Sequence, residues 1–223
     1  MKNILISQSI QYIQERNEIR DFLDNKIFDF LNKCNLNGIP VPNNIYNLKK
    51  NLNSLKISGI ILSGGNDIFF KPKSKNINLN KKLKFITLKR NLIEKKLINY
   101  AIKKKIPILG ICRGFQYLNI CLKGKISLIK NHVKVKHKIN ISPNVVYGKK
   151  WKNFIDFKVN SFHNYGIQLN ELSKKLNCIV KHKNSVEAAI NSNFKLLGIM
   201  WHPEREKKFS KKNIILFKKF FNA

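Results

Sequence analysis

The chain has 223 residues, 43% of them apolar, enough for one sizeable core. No apolar run approaches the roughly 18 residues of a membrane span. The opening stretch carries only Ile4, Leu5 and Ile6 as an apolar run, short of the ~7–15 residues of a secretory signal, so a cytoplasmic protein is expected. The net charge of +32 comes from 44 Lys and Arg against 12 Asp and Glu. Lys, Asn and Ile are inflated together along the whole chain, as A+T-rich codon usage would produce. Arginine, the usual reader of bases, is scarce, and no nucleic-acid-binding signature is visible, so nucleic acid is not an expected partner. An anionic small substrate would suit so positive a field.

In chain order, Ile4–Ser7 reads as a first strand. A helix is predicted from Asn17 as cap, with Ile19, Phe22, Leu23, Ile27, Phe30, Leu31 and Cys34 on its apolar face, closed by Gly38. Ser58–Gly65 reads as a buried strand ending in a glycine turn, and Lys71–Lys82 as a polar, basic loop. A helix follows from about Leu88 to Lys104 with Leu92, Ile93, Leu97, Tyr100 and Ala101 on one side. Ile106–Ile111 is then a strand and Arg113–Leu122 a helix. The second half is richer in strands: KINIS, FIDFKVN, CIVKHK, VEAAI and LLGIMW. The last helix spans Lys211–Phe221. This alternation predicts an α/β fold: a doubly wound, mostly parallel sheet of flavodoxin-like type, helices on both faces, extra β-strands in the second half. No repeat or boundary divides residues 1–223, which read as one domain.

The four cysteines, Cys34, Cys112, Cys121 and Cys178, form no C-x-x-C pair, so neither a disulfide framework nor a cysteine metal site is expected. Three of them read as small buried hydrophobes. Cys112 differs. It stands between Gly110 and Gly114, where a strand gives way to a helix, at the carboxyl end where open parallel sheets bind ligands. Glycines on both sides permit a sharp turn that would expose the thiol above the sheet, as in a nucleophile elbow. The helix N-terminus there favours thiolate.

A thiol nucleophile needs a base, and the base an orienting group. His202, directly after an apolar strand, has Glu204 two residues on. In extended chain both would point the same way, about 6.5–7 Å apart at Cα, so the carboxylate could fix the imidazole tautomer. Gly65, in the turn after Leu62, and Arg113 offer backbone amides for an oxyanion.

The segments SGGND, GICRGFQYLNI, VNSFHNYGI and GIMWHPER, in that order, together resemble the class I glutamine amidotransferase-like superfamily, over most of the chain. The resemblance implies that Cys112 attacks a γ-glutamyl amide, with His202 and Glu204 completing a triad. It also implies a γ-glutamyl pocket drawing on Gly64, Gln116, Ser161 and His163, with no metal or organic cofactor. Arg113 after the cysteine, HVKVKH (His132–His137) and VEA (Val186–Ala188) look like the γ-glutamyl-γ-aminobutyrate hydrolase branch. Arg90-Asn91 stands where that branch usually has Arg-Asp. EIRDFLD and NSFHNYGI look closest to the subgroup of γ-glutamyl-CDP-amidate hydrolases. His132 and His137 read as structural or rim residues and His182 as exposed. Glu15, Glu18 and Asp21 read as pairing with Arg16 and Arg20 or as a solvated face. The expected activity is hydrolysis of a γ-glutamyl amide through a thioester. The alternatives are a glutaminase subunit delivering ammonia to a separate synthetase and a catalytically inactive binding protein.

Overall fold

A computed structural model describes residues 1–44, 52, 55–72, 74–129, 132–141, 153, 155, 156, 158–191, 193 and 195–223. Its main sheet has eight strands in the order β4-β1-β5-β6-β14-β13-β12-β9. These are β1 (Lys2–Ser7), β4 (Leu36–Val41), β5 (Ile57–Leu62), β6 (Ile108–Ile111), β9 (Asn140–Ile141), β12 (Asn177–His182), β13 (Ser185–Asn191) and β14 (Leu196–Ile199). The strands β4, β1, β5, β6 and β14 run parallel, and β13, β12 and β9 extend the sheet by antiparallel pairing. The expected mostly parallel sheet with later additions is therefore what forms.

The central strands are apolar at nearly every position because both faces are covered. On one face Ile4, Ile6, Ile61, Leu109, Leu197 and Ile199 pack with Phe30 and Leu31 of α1 (Lys26–Lys33) and Phe217 and Phe221 of α4 (Lys211–Phe221). On the other, Leu5, Ile60, Leu62, Ile108 and Leu196 pack with Ile93, Leu97 and Ala101 of α2 (Ile77–Lys104) and Phe115 and Leu118 of α3 (Arg113–Cys121). Strand residues alternate between the two clusters, as period-two geometry requires.

The structure corrects several expectations. Residues 17–25 are not helical. Asn17 takes a left-handed conformation (φ 53°) that closes a hairpin between β2 (Ser9–Ile13) and β3 (Glu18–Phe22), and the helix begins only at Lys26. Ile19 and Phe22 are exposed on that hairpin rather than packed on a helix face. Only three of the seven apolar positions, Ile19, Phe22 and Leu23, precede Lys26, too few to fix a period; Asn17, tolerant of positive φ, settles the choice for a turn. Gly38 lies inside β4 and does not end α1.

The basic stretch 71–82 is only half loop. The Asn76 side chain accepts from the Leu79 amide at 3.0 Å and starts α2 at Ile77, eleven residues ahead of the expected start at Leu88. No Gly or Pro interrupts the next 28 residues, so the helix runs to Lys105, which closes it at φ 54°. Its buried face comprises Ile86, Arg90, Ile93, Glu94, Leu97, Ile98 and Ala101, whereas Leu92 is exposed.

Within KINIS and FIDFKVN, residues 142, 154 and 157 lie outside the described residues; Asn140–Ile141 and the β10 strand (Lys158–Phe162) form as expected. β10 pairs with β8 (Val133–Lys138), and β7 (Ser127–Leu128) with β11 (Tyr165–Gly166), two small ribbons beside the main sheet. His182 is half-buried, its ring 4.3 Å from that of His137, and not free in solvent as expected. Glu18 pairs with Arg20. Asp21 instead accepts from the backbone and side-chain nitrogens of Asn43, both at 2.8 Å.

Candidate active site

The loops after three adjacent parallel strands, β5, β6 and β14, meet at one rim of the sheet. They carry Gly64 and Gly65, Cys112, and His202 with Glu204 respectively.

Cys112 adopts φ 49°, ψ −105°, a region that non-glycine residues avoid and that costs about 1–3 kcal/mol. The surroundings enforce it. Its amide donates to the Ile199 carbonyl on β14 at 2.7 Å, and its carbonyl accepts from the Gln116 amide in the first turn of α3. A Cβ on Gly110 would lie 2.5 Å from the Phe115 nitrogen, and one on Gly114 would lie 2.1 Å from the Leu62 carbonyl oxygen. Both glycines are therefore needed for α3 to fold back against β5 and β6.

His202 is 1% exposed. Its Nδ1 is 2.7 Å from Glu204 Oε1, and the Cys112 side chain lies close enough to act on the ring electrostatically. Burial disfavours the imidazolium, but the Glu204 carboxylate and Cys112 together outweigh it, and the pKa is raised to about 9. Glu204 does not reach the ring through extended chain, as the sequence suggested. Pro203–Arg205 form a single 3₁₀ turn that swings the carboxylate back beneath the imidazole.

Gly64 makes room for that ring: a Cβ there would be 2.5 Å from His202 Cε1. Gly65 has φ +96°, and a Cβ on it would strike Ser9 Oγ at 2.2 Å. The Gly64 carbonyl accepts from Arg90 Nη2 at 2.8 Å. Because the peptide is trans, the Gly65 N–H points away from that guanidinium.

Two residues that sequence reasoning left without a role organise this rim. Asn160 of β10 grips the His202 backbone at both ends, accepting from its amide and donating to its carbonyl, each at 2.8 Å. Arg90, fully buried on α2, binds the Ser63 and Gly64 carbonyls, Ser9 Oγ and Asn66 Oδ1. Glu94, one turn on, accepts from Arg90 Nε at 3.1 Å, from Ser7 Oγ at 2.8 Å and from Arg113. Burial, then the neighbouring Arg113, lowers the Arg90 pKa to about 10. A buried guanidinium–carboxylate–guanidinium chain thus ties the glycine loop to the residue after Cys112. Asn91 fits the same network as an amide: its oxygen accepts from Arg113 while its nitrogen donates to the Ile68 carbonyl at 3.0 Å, which a carboxylate could not do. The spacing of Arg90 and Glu94 was the available signal, an opposite-charge pair four apart on an otherwise apolar helix face.

A pocket of about 60 Å³ opens beside Cys112, with Gln116, His163, Asn66, Phe69 and Tyr165 among its walls. Gln116 Nε2 donates to the Tyr165 carbonyl at 2.6 Å. His163 is buried with both ring nitrogens unpartnered among the described residues; burial, then His132, His137 and His202, lowers its pKa to about 3, so the ring is neutral. Lys71 reaches over the Tyr165 ring, 4.7 Å from its centroid, and meets its hydroxyl. Ser161 does not join the pocket. It is fully buried, and its hydroxyl donates to the His132 carbonyl at 2.6 Å. Gly64 and Gly65 line a neighbouring cleft with Glu204. Behind His163, the ligand atoms of His132, His137 and Glu187 all lie within 4.8 Å of one another.

A strained cysteine at a strand end, beside a histidine that is bonded to a glutamate, on an eight-stranded mostly parallel sheet, is the plan of a class I glutamine amidotransferase-like protein. The chain belongs to the peptidase C26 family, whose model matches residues 7–204. It is 37% identical to the γ-glutamyl-CDP-amidate hydrolase of Campylobacter jejuni, over 74% of this chain and 70% of that protein. It is 27% identical to the γ-glutamyl-γ-aminobutyrate hydrolase of Escherichia coli O157:H7, over 60% of each. The fold superposes on the glutaminase domain of Trypanosoma brucei CTPS, solved with bound acivicin, with a TM-score of 0.67 over 100% of this chain and 94% of that one, at 14% identity. No helix among the described residues is long and apolar enough to cross a membrane.

Proposed function

We propose that this chain hydrolyses a γ-glutamyl amide through a thioester on Cys112, releasing glutamate and an amine or amidate. The observation that carries the reading is the meeting of Cys112 and His202 at the carboxyl rim of the sheet, with His202 Nδ1 held 2.7 Å from Glu204 Oε1. The named activities of the Campylobacter and Escherichia relatives support a γ-glutamyl hydrolase.

His202 takes the thiol proton and the sulfur attacks the γ-carbonyl carbon. The resulting oxyanion meets the Gly65 and Arg113 amides. As the carbon–nitrogen bond breaks, His202 gives its proton to the leaving nitrogen. Water, deprotonated by the same imidazole, then attacks the thioester carbon and restores the thiol. Glu204 holds the ring and stabilises its charged form. Gln116 and His163, on the pocket wall, orient the glutamyl group. The neutral state of His163 suits a hydrogen-bond partner better than a counter-ion. Among candidate substrates, γ-glutamyl-CDP-amidate is favoured over γ-glutamyl-γ-aminobutyrate, because Lys71 over the Tyr165 ring and the overall charge of +32 suit an anionic leaving group.

The test is glutamate release from γ-glutamyl conjugates of cytidine-diphosphate amidate, γ-aminobutyrate, a polyamine and ammonia. Wild type should turn over at least one of them, and Cys112→Ala should lose at least about 10³-fold. Undiminished turnover by Cys112→Ala would remove the mechanism. Activity on glutamine alone, rising when a synthetase is added, would make the chain an ammonia-delivering glutaminase instead.

A further inference from the structure

We propose that His132, His137 and Glu187 form a binding site for one zinc-class divalent cation. The three come from different elements. His132 precedes β8, His137 lies on β8, and Glu187 lies on β13 of the main sheet. Folding brings their ligand atoms within 4.8 Å of one another. Glu187 is fully buried and His132 is 7% exposed.

These groups approach without bonding. His132 Nδ1 is 3.9 Å from Glu187 Oε1, and His137 Nε2 is 3.8 Å from Glu187 Oε2, both beyond hydrogen-bond range. Among the described residues, His132 Nδ1, both ring nitrogens of His137 and Glu187 Oε2 are buried without a hydrogen-bond partner. Three unpaired polar atoms facing one point, His132 Nδ1, His137 Nε2 and Glu187 Oε2, are costly, since each buried unsatisfied group forfeits about 1–3 kcal/mol. A cation would satisfy three of the residues at once. Tetrahedral ligands on bonds of roughly 2.0–2.2 Å stand about 3.4 Å apart, so the observed spacings need only a small inward movement.

Two imidazoles and one carboxylate are borderline donors, which selects zinc or a similar transition metal over calcium or magnesium. Three protein ligands leave a fourth position for water or a substrate oxygen. The site also adjoins the proposed catalytic centre. The His132 ring is 5.0 Å from that of His163 on the pocket wall, and the Glu187 carbonyl accepts from the Met200 amide two residues before His202. The cation therefore stiffens the join between the β8–β10 ribbon and the end of β14. Its binding does not depend on whether Cys112 is a nucleophile.

The experiment uses the full chain carrying Cys112→Ala, freed of metal with a chelator, so that the Cys112–His202 pair cannot itself capture the probe. Titration with zinc chloride alone should show one equivalent bound and a rise in melting temperature. His137→Ala and Glu187→Gln should each weaken binding more than ~100-fold, beyond the loss of an outer-shell partner. Should those variants fail to fold, cobalt chloride on the otherwise unaltered Cys112→Ala chain decides. A tetrahedral visible spectrum is expected. Absence of stoichiometric zinc, retention of zinc by both variants, or a cobalt spectrum of the hexa-aqua ion would overturn the site and leave ordered water as the occupant of this cluster.

Discussion

His202 is the residue on which the proposed chemistry turns, and its raised pKa makes it testable without substrate. An imidazole of ordinary pKa 6.5 in the unfolded chain, held at about 9 when folded, stabilises the native state fully below pH 6.5. That contribution fades as pH rises from about 6.5 through 9. Urea unfolding of wild type and His202→Gln should therefore give midpoints that converge across this interval; a constant gap would contradict the assignment. Glu204→Gln removes the carboxylate that favours the imidazolium. Turnover should fall about 10²–10⁴-fold, as when the orienting acid of other triads is neutralised, and the alkaline limb of the His202 titration should move to lower pH. Following the imidazole Cε1 proton by NMR separates these effects from mere unfolding. Both residues were legible in the sequence, as a histidine at a strand end with an acid two positions on. The 3₁₀ turn that joins them was not, because Pro203 forbids a continuing strand as readily as it opens a helical turn.

Among the elements, the β6–α3 junction is the least tolerant. Gly114→Ala would set a methyl 2.1 Å from a backbone oxygen of β5, an atom that cannot swing aside. Destabilisation beyond about 3 kcal/mol is expected, in the range of severe overpacking, and thermal melting measures it. On α2 the two faces should differ. Leu97→Ala, at a fully buried position, should cost about 2–5 kcal/mol. Leu92→Ala, 56% exposed, should change stability by less than about 0.5 kcal/mol. An equal effect at both positions would mean that the helix faces are misassigned. Leu92 and Leu97 looked equivalent in the sequence, because a helix apolar on several sides has no single stripe to reveal its buried face. The early start of α2 was equally hard to read: Lys and Asn dominate residues 71–82, and one cap, Asn76, decides where helix begins.

The whole molecule carries +32 charges, which repel one another at low ionic strength. Added sodium chloride should raise the melting temperature as the Debye length shrinks from about 30 Å at 0.01 M to 8 Å at 0.15 M. A flat or falling trend would show that the charges are already locally compensated. Glu94 has the opposite character. It is fully buried between Arg90 and Arg113, where salt cannot screen it. Glu94→Gln should cost about 3–5 kcal/mol by leaving buried guanidinium charge uncompensated, and that loss should persist at high salt. Denaturant unfolding at low and high sodium chloride distinguishes the two.

By itself the sequence determined the layered α/β plan and the burial of the central strands on both faces, and it singled out Cys112, His202 and Glu204 as the expected triad. Apolar periodicity and glycine spacing are local properties, and a strand followed by a glycine-flanked turn has few ways to fold. Only the tertiary structure decided which distant groups share a space. The Arg90–Glu94–Arg113 chain, the grip of Asn160 on His202, the withdrawal of Ser161 from the pocket and the convergence of His132, His137 and Glu187 all join residues from separate elements. Long-range pairing of this kind depends on strand order and register, which no short window of sequence contains.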